Sequence, residues 1–347
     1  MSGGVDSSVA AALLVQQGFE VIGMMLRLWS EAGREATNHC CTPDAMALAR
    51  RVAARLGIPF YAIDAQEIFF EKVVNNFIEG YGNGITPNPC LACNRHIRWD
   101  FLLRRALSLE AQHLATGHYA QIFQDTNGNF QLIKAIDKDK DQSYVLHVLT
   151  QEQLASTLFP IGAYTKSDVR KMAKEFDLPV SERSDSQDLC FLGNGNYRDF
   201  LRRNSPQVMS PGPILSIDGK QLGQHQGLAF YTIGQRKGLG VYSSEPLYVI
   251  SKERSSNALI VSNNEHLGKN ELIVNGVNWI AGASPKGEIR AGVKIRYRSH
   301  EVRGSVTPLD AQSVHVILDD TLRAITPGQA AVFYDQERCL GGGIIRG

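Results

Sequence analysis

Two cysteines separated by two residues, in Thr86-Pro87-Asn88-Pro89-Cys90-Leu91-Ala92-Cys93-Asn94, are well suited to nucleophilic chemistry. The prolines predict an extended entry into a helix that begins at the cysteines. There the thiols face the positive end of the helix dipole with Arg95 and His96 nearby, a setting that favours the thiolate. A thiolate attacks carbonyl-like carbon, carries sulfane sulfur or binds metal. Cys190, in Asp185-Ser186-Gln187-Asp188-Leu189-Cys190-Phe191, ends a polar loop and is the natural third thiol. Cys90 and Cys93 could instead be half of a structural zinc site completed by His39, Cys40 and Cys41. Cys40 and Cys41 otherwise read as small packing residues, and Cys339 reads as a core residue.

A second constellation opens the chain: Ser2-Gly3-Gly4-Val5-Asp6-Ser7-Ser8, a glycine-rich turn running into an apolar helix. Small residues, backbone N–H groups and a helix start together make a phosphate cradle. Asp6 makes sense there only with Mg²⁺ between carboxylate and phosphate. No Gly-Lys-Ser/Thr follows, so the loop is not of the Walker type. The heptapeptide resembles the pyrophosphate loop of the ATP pyrophosphatase (PP-loop) superfamily, whose members cleave ATP to AMP and pyrophosphate. Such a loop ordinarily follows a buried strand, whereas here only Met1 precedes it. The expectation is that the sheet lacks its nucleotide-binding strand and that the full-length product carries a short apolar strand upstream.

The elements that must position these residues alternate through the first half. A helix is predicted from Asp6 to Gln17, stopped by Gly18, followed by a strand from Phe19 to Leu28. Thr42 and Pro43 start a second helix that stops at Gly57, and Phe60 to Ile63 forms a strand. Glu67 to Glu79 is helical, a further helix follows Cys93, and His113 to Thr116 is a strand ending at Gly117-His118. This order predicts an α/β fold, a doubly wound and mostly parallel sheet with ligands at the strand C-termini. After about Asn196 the pattern turns to short alternating segments with turns at Gly212-Pro213 and Asp218-Gly219. From about Leu272 onward the alternation predicts a small closed or sandwiched β domain. The expected units are residues 1–195, catalytic; 196–268, small and β-rich; and 269–347, a C-terminal β-barrel.

The 347 residues suffice for two or three domains, and the net charge of +1 gives no overall basic field. Any RNA contact must therefore use local patches. No apolar run reaches membrane-spanning length and no signal peptide is visible. Six unevenly clustered cysteines suggest a reducing cytoplasm rather than a disulfide framework.

The phosphate loop, the Asn88–Asn94 segment, Ala115-Thr116-Gly117-His118-Tyr119, Lys140-Asp141-Gln142-Ser143-Tyr144 and Leu189-Cys190-Phe191 recur in order with two later motifs. These are Gly234-Gln235-Arg236-Lys237-Gly238-Leu239-Gly240 and Thr326-Pro327-Gly328-Gln329-Ala330. Together they resemble the tRNA-specific 2-thiouridylase (MnmA) family, over essentially the whole chain. The resemblance implies an adenine nucleotide α-hydrolase-like catalytic domain, a central domain and a β-barrel. The implied reaction replaces the C2 oxygen of a wobble uridine by sulfur. ATP and Mg²⁺ would lie on Ser2, Gly3, Gly4, Val5, Asp6 and Ser7, with Leu26 and Gly117 flanking the nucleotide. Cys190 would carry sulfur as a persulfide, and Cys93 would be the nucleophile that completes transfer. The two must approach each other, which implies a mobile loop over residues 185–190.

Where the family often has Asp, this chain has Cys90. Three thiols admit a [4Fe–4S] cluster on Cys90, Cys93 and Cys190 as an alternative to the persulfide relay. The resemblance also implies tRNA contacts at Asn88, Pro89, Cys90, His118, Lys140, Asp141, Gln142, Arg296, Tyr297 and Gln329, which suit an anticodon stem-loop. A sulfur-donor or relay protein is the further implied partner. Lys166, Arg170, Lys171 and Lys174 form a basic helix face that could track the tRNA backbone or simply be solvated. Two rival readings remain open: an adenylating ligase or amidotransferase acting on a small acid, and an RNA-binding protein with a degenerate nucleotide site.

Overall fold

The computed structural model describes residues 1–34, 42–184, 189–193 and 195–346. His39, Cys40 and Cys41, and the expected mobile segment up to Asp188, lie outside the described residues. Helix α1 (Val5–Gln16) is apolar on nearly every side and correspondingly buried, with Val9 fully enclosed. Gly18 ends the turn beyond it at φ +85°. Strand β1 (Gly23–Arg27) is shorter than the pattern predicts, because Phe19 and Ile22 stay exposed in the connection. Helix α2 (Pro43–Leu56) begins where Thr42 Oγ1 accepts the Ala45 N–H at 3.1 Å and ends at left-handed Gly57. Strand β2 (Phe60–Asp64) then pairs parallel with β1, Gly23 opposite Phe60.

Two helical runs come next, residues 66–82 and 89–107. The second starts at Pro89 with Asn88 as its cap and is pinned by Trp99, whose Nε1 donates to Thr157 Oγ1 at 2.8 Å. Strand β3 (Leu114–Ala115) pairs parallel with β6 (Thr157–Leu158). Between them the chain forms an antiparallel hairpin, β4 (Ala120–Gln124) and β5 (Phe130–Lys134). The expected parallel sheet is thus present as two separate pairs, β1–β2 and β3–β6. Among the described residues no strand hydrogen-bonds the two pairs together.

After the helix Tyr197–Asn204 comes a four-stranded sheet in the order β8 (Gln221–His225), β7 (Gly212–Ser216), β10 (Ala258–Ser262), β9 (Tyr248–Glu253). The Asp218-Gly219 turn joins β7 to β8, with Gly219 at φ +82° as such a turn requires. The remaining strands are β11 (Gly268–Trp279), β12 (Ile289–Lys294), β13 (Val302–Pro308), β14 (Ser313–Arg323), β15 (Ala330–Asp335) and β16 (Arg338–Ile345). They close into a six-stranded barrel through β11–β16 pairing, around Val274, Val293, Val306, Val316 and Phe333.

The sequence pattern does not reveal how the barrel is attached. Strand β5 of the N-terminal half pairs with β16, Ile133 opposite Arg338 and Leu132 opposite Cys339, so both units share one sheet. Cys339 is buried at this seam, as expected of a core residue. His147 is also enclosed there, its Nδ1 donating to Tyr144 O at 2.7 Å. Burial, with Arg95 adding to it, lowers the His147 pKa to about 4. Above pH ~6.5 the imidazole is neutral folded or unfolded, so its contribution is intact. As pH falls from there toward 4 only the unfolded chain gains the proton, and about 1.4 kcal/mol is lost per pH unit. Thermal unfolding should therefore show a lower Tm at pH 5 than at pH 7, with a shallower pH dependence in His147→Gln.

Candidate active site

The phosphate loop is shaped by positions where a side chain cannot fit. Gly3 sits at φ +70°, and a Cβ there would stand 2.5 Å from Ala45 O. Ser7 Oγ accepts the Ser2 N–H at 3.1 Å, and Ser8 Oγ donates to Gly4 O at 2.8 Å, folding the loop onto the first turn of α1. Gly117, beyond the end of β3, packs against this loop: a Cβ there would lie 2.7 Å from Asp6 C and Ser7 N. Gly117→Ala must displace backbone; with ATP on this loop, as the resemblance implies, the apparent KM for ATP should rise about tenfold or more while tRNA affinity is unchanged. Pyrophosphate release and filter-binding assays on the same preparation check this. Leu26, half-buried, lies near the C-terminal end of β1, the sheet end where nucleotides bind in such folds.

Three side chains that the motif does not contain converge on the loop. Asp6 Oδ1 accepts from Tyr119 Oη at 2.8 Å and from Lys166 Nζ at 2.7 Å. Arg183 Nη1 donates to Gly3 O at 2.6 Å, and Arg170 Nη1 holds Arg183 O at 3.1 Å. Of the basic helix face read from sequence, Lys166 departs from an outward placement while Lys171 and Lys174 stay exposed. Lys166 turns inward to the loop, Lys171 lies 3.7 Å from Asp168, and Lys174 pairs with Glu182 at 2.9 Å. The sequence did carry a signal. Lys166 opens a helix at the first turn, where the dipole disfavours a cation, between Thr165 and Asp168 of a capping box.

Tyr119 is itself braced, its N–H donating to Gln142 Oε1 at 3.0 Å and its carbonyl accepting the Gln142 N–H at 2.8 Å. Beside it the His118 ring lies 5.5 Å from Trp99 and 6.0 Å from Phe159, with Nδ1 2.8 Å from Thr116 Oγ1. Burial, together with nearby Arg98, holds His118 well below its ordinary pKa, so it is neutral at pH 7. Lys140 is half-buried. Asp141 is enclosed: its carboxylate accepts from Ala135 N, Ser143 N and Ser143 Oγ, and burial pushes its pKa up. This placement makes Asp141 a brace of its own loop rather than a group facing RNA.

Cys90 and Cys93 lie at the start of the 89–107 helix. Asn88 Oδ1 accepts the Cys90 N–H at 3.1 Å, and Cys90 is exposed. Cys93 and Cys190 are half-buried, and both pack on one apolar cluster that includes Phe69, Ile97 and Phe191. No three His, Cys, Asp or Glu side chains gather in metal-binding geometry among the described residues.

The barrel supplies the remaining wall. Burial raises the Tyr297 phenol to about 12, with Asp141 and Cys90 near enough to add to the rise. Arg296 Nη2 donates to Ile233 O at 3.3 Å, Ala324 O at 2.9 Å and Thr326 Oγ1 at 2.7 Å, joining the central unit to the barrel. Gln329 Nε2 donates to Thr86 O at 2.8 Å. Pro89 is buried in the helix start below Cys90. The structure thus draws Asn88, Cys90, Tyr297 and Gln329 to one region.

Three family models cover the chain. Residues 1–194 match the "tRNA methyl transferase HUP domain", 198–263 its PRC-barrel domain, and 269–345 the "Aminomethyltransferase beta-barrel domain". A tRNA-specific 2-thiouridylase MnmA of Natranaerobius thermophilus is 46% identical, over 99% of this chain and 95% of its own. That of Halothermothrix orenii is 45% identical over 100% and 97%. That of Chloroflexus aggregans is 47% identical over 99% and 96%. With this identity spread over its full length, the chain belongs to the tRNA-specific 2-thiouridylase MnmA family.

Proposed function

We propose that this protein is a tRNA-uridine 2-sulfurtransferase that uses ATP to replace the C2 oxygen of a wobble uridine by sulfur. Family membership supports the reaction, and one observation supports the division of labour. Cys93 and Cys190, far apart in sequence, pack on the same apolar cluster, while the phosphate loop lies at the strand ends. The uridine O2 attacks the α-phosphorus of ATP, an O–P bond forms, and pyrophosphate leaves with the electron pair of the broken P–O bond. Lys166 and Arg183 stand where they would meet that leaving charge. Asp6 is the loop carboxylate that would hold Mg²⁺, which when bound offsets phosphate charge.

The terminal sulfur of a Cys190 persulfide then attacks C2 and expels AMP. Cys93 thiolate attacks Cys190 Sγ, forming a Cys93–Cys190 disulfide and releasing the 2-thiouridine. A dithiol reductant restores both thiols, and a persulfide donor, in the cell a sulfur-relay protein, reloads Cys190. Asn88, Pro89, Cys90, His118, Lys140, Gln142, Arg296, Tyr297 and Gln329 are the proposed anticodon-loop surface. Tyr297 can stack and the amides can read base edges. Among the described residues no helix is long and apolar enough to cross a membrane. A reducing cytoplasm suits the thiols.

The test is thiolation of unmodified tRNA with ATP, Mg²⁺ and a persulfide donor, read as 2-thiouridine by mass spectrometry. Product that depends on ATP supports the reading. Bound tRNA without product or AMP would instead favour an RNA-binding protein with a degenerate nucleotide site.

A further inference from the structure

We propose that the barrel loop 326–330 is a positioning element for Cys93, acting through a grip on Thr86. The idea rests on the reading of Cys93 as nucleophile. Both backbone polar groups of Thr86 are held by the barrel: its N–H donates to Pro327 O at 2.9 Å, and its carbonyl accepts from Gln329 Nε2 at 2.8 Å. Between these two bonds sits Gly328 at φ +90°. A Cβ on Gly328 would stand 3.0 Å from Thr86 N and O and 3.1 Å from Ile85 Cβ. On the catalytic side Gly80 makes room for Pro87, whose Cγ would lie 2.8 Å from a Cβ there. The segment is clamped from two sides.

The stiffness of the chain between the clamp and the thiol gives the clamp its reach. Pro87 and Pro89 fix their own φ angles, and each also confines the residue before it, Thr86 and Asn88, to extended backbone. Asn88 then caps the Cys90 N–H. Few soft torsions separate the gripped carbonyl from the helix turn that carries Cys93, so a shift at Thr86 is passed on rather than absorbed. The loop is equally stiff on the barrel side. Gly328 N–H donates to Ile345 O at 3.1 Å, Ile345 N–H to Gln329 O at 2.8 Å, and Arg296 holds Thr326 Oγ1. The unit that presents Tyr297 and Arg296 is thereby coupled to the attacking thiol, and the barrel's seating sets where Cys93 points.

Gly328→Ala and Gln329→Met disturb the grip differently, the first by crowding and the second by removing one hydrogen bond without added bulk. The readouts are kcat and KM for tRNA, and the iodoacetamide alkylation rate of Cys93 without tRNA. Alkylation is quantified by peptide mass spectrometry against isotope-labelled wild-type protein in the same sample. The expected result is a variant/wild-type Cys93 alkylation ratio changed about threefold or more and kcat lowered roughly tenfold to hundredfold, with KM for tRNA in Gly328→Ala nearly unchanged. An unaltered alkylation ratio with unaltered kcat overturns the proposal. A rise in KM for tRNA alone also overturns it, since the loop is then an RNA contact only. Should Gly328→Ala fail to fold, Gln329→Met decides by the alkylation ratio and kcat alone, since a change in its KM for tRNA is expected of a proposed RNA contact. Full activity of Cys93→Ala would instead defeat the functional reading, while the alkylation ratio still reports on the clamp.

Discussion

In a single turnover without added thiol, Cys93→Ala and Cys190→Ala should each lower release of 2-thiouridine by about 10⁴-fold or more, the scale seen when one member of a catalytic unit is removed. The double variant should be no worse than either single one, because the two thiols act in sequence on one sulfur. What separates them is where the reaction stops. Without Cys190 no persulfide forms, so tRNA is adenylated and no sulfur reaches it. Without Cys93 the persulfide sulfur still attacks C2, leaving Cys190 joined to the tRNA through a disulfide. Cys93→Ala should therefore accumulate a protein–tRNA adduct that dithiothreitol releases as thiolated tRNA, seen on a non-reducing gel and by mass spectrometry. Pyrophosphate release in a first turnover should survive in both variants, since the phosphate loop shares no residue with the thiol cluster. In the proposed mechanism the apolar wall around Cys93 and Cys190 would limit water that competes for the adenylated carbon. Full activity in both variants would point to the ligase or amidotransferase alternative, in which neither thiol is needed.

Local chemistry was legible in the sequence wherever one residue type decides a conformation. Thr42 and Pro43 start α2, Gly57 stops it, Asp218-Gly219 turns a hairpin, and Asn88-Pro89 starts the helix of the thiols. Each of these is a short-range rule of capping or turn geometry. What pairs with what was not legible. Strands β4 and β5 lie in the catalytic half yet extend the barrel sheet through Leu132 and Ile133, and alternation identifies a strand without naming its partner. The same limit applied to side chains. Lys166 looked like one of four basic residues on a helix face, since periodicity places a residue on a helix but not the helix against its neighbours. Asp141, in a polar run with Lys140 and Gln142, looked exposed; the three hydrogen bonds that allow its burial come from Ala135 and Ser143. Nor does the sequence show that Gln329 Nε2 reaches the chain that leads to Cys93.

The placement of Lys166 leads to the other large effect. Lys166→Met should slow ATP-dependent pyrophosphate release and thiolation by roughly 10²- to 10³-fold, the cost of removing one preorganised charge aimed at a developing anion. The Lys166 side chain is 13% exposed, so water screens it little, and its Nζ lies 2.7 Å from Asp6 Oδ1 at the mouth of the phosphate loop. The ammonium thus already stands beside the loop, and pyrophosphate departure places new negative charge within its reach. Because that charge develops in the transition state, the loss should fall mainly on kcat rather than on KM for ATP. Lys166→Arg should restore only part of the rate, as a planar guanidinium does not reproduce a compact point charge in a confined space. Lys171→Met and Lys174→Met provide the contrast on the same helix. They pair outward with Asp168 and Glu182, so neither should alter pyrophosphate release, whatever they do to salt-dependent tRNA affinity. If all three lysine variants instead weaken tRNA binding alike and leave pyrophosphate release intact, the helix is an RNA-tracking face after all. In that case the Lys166–Asp6 contact only braces the loop.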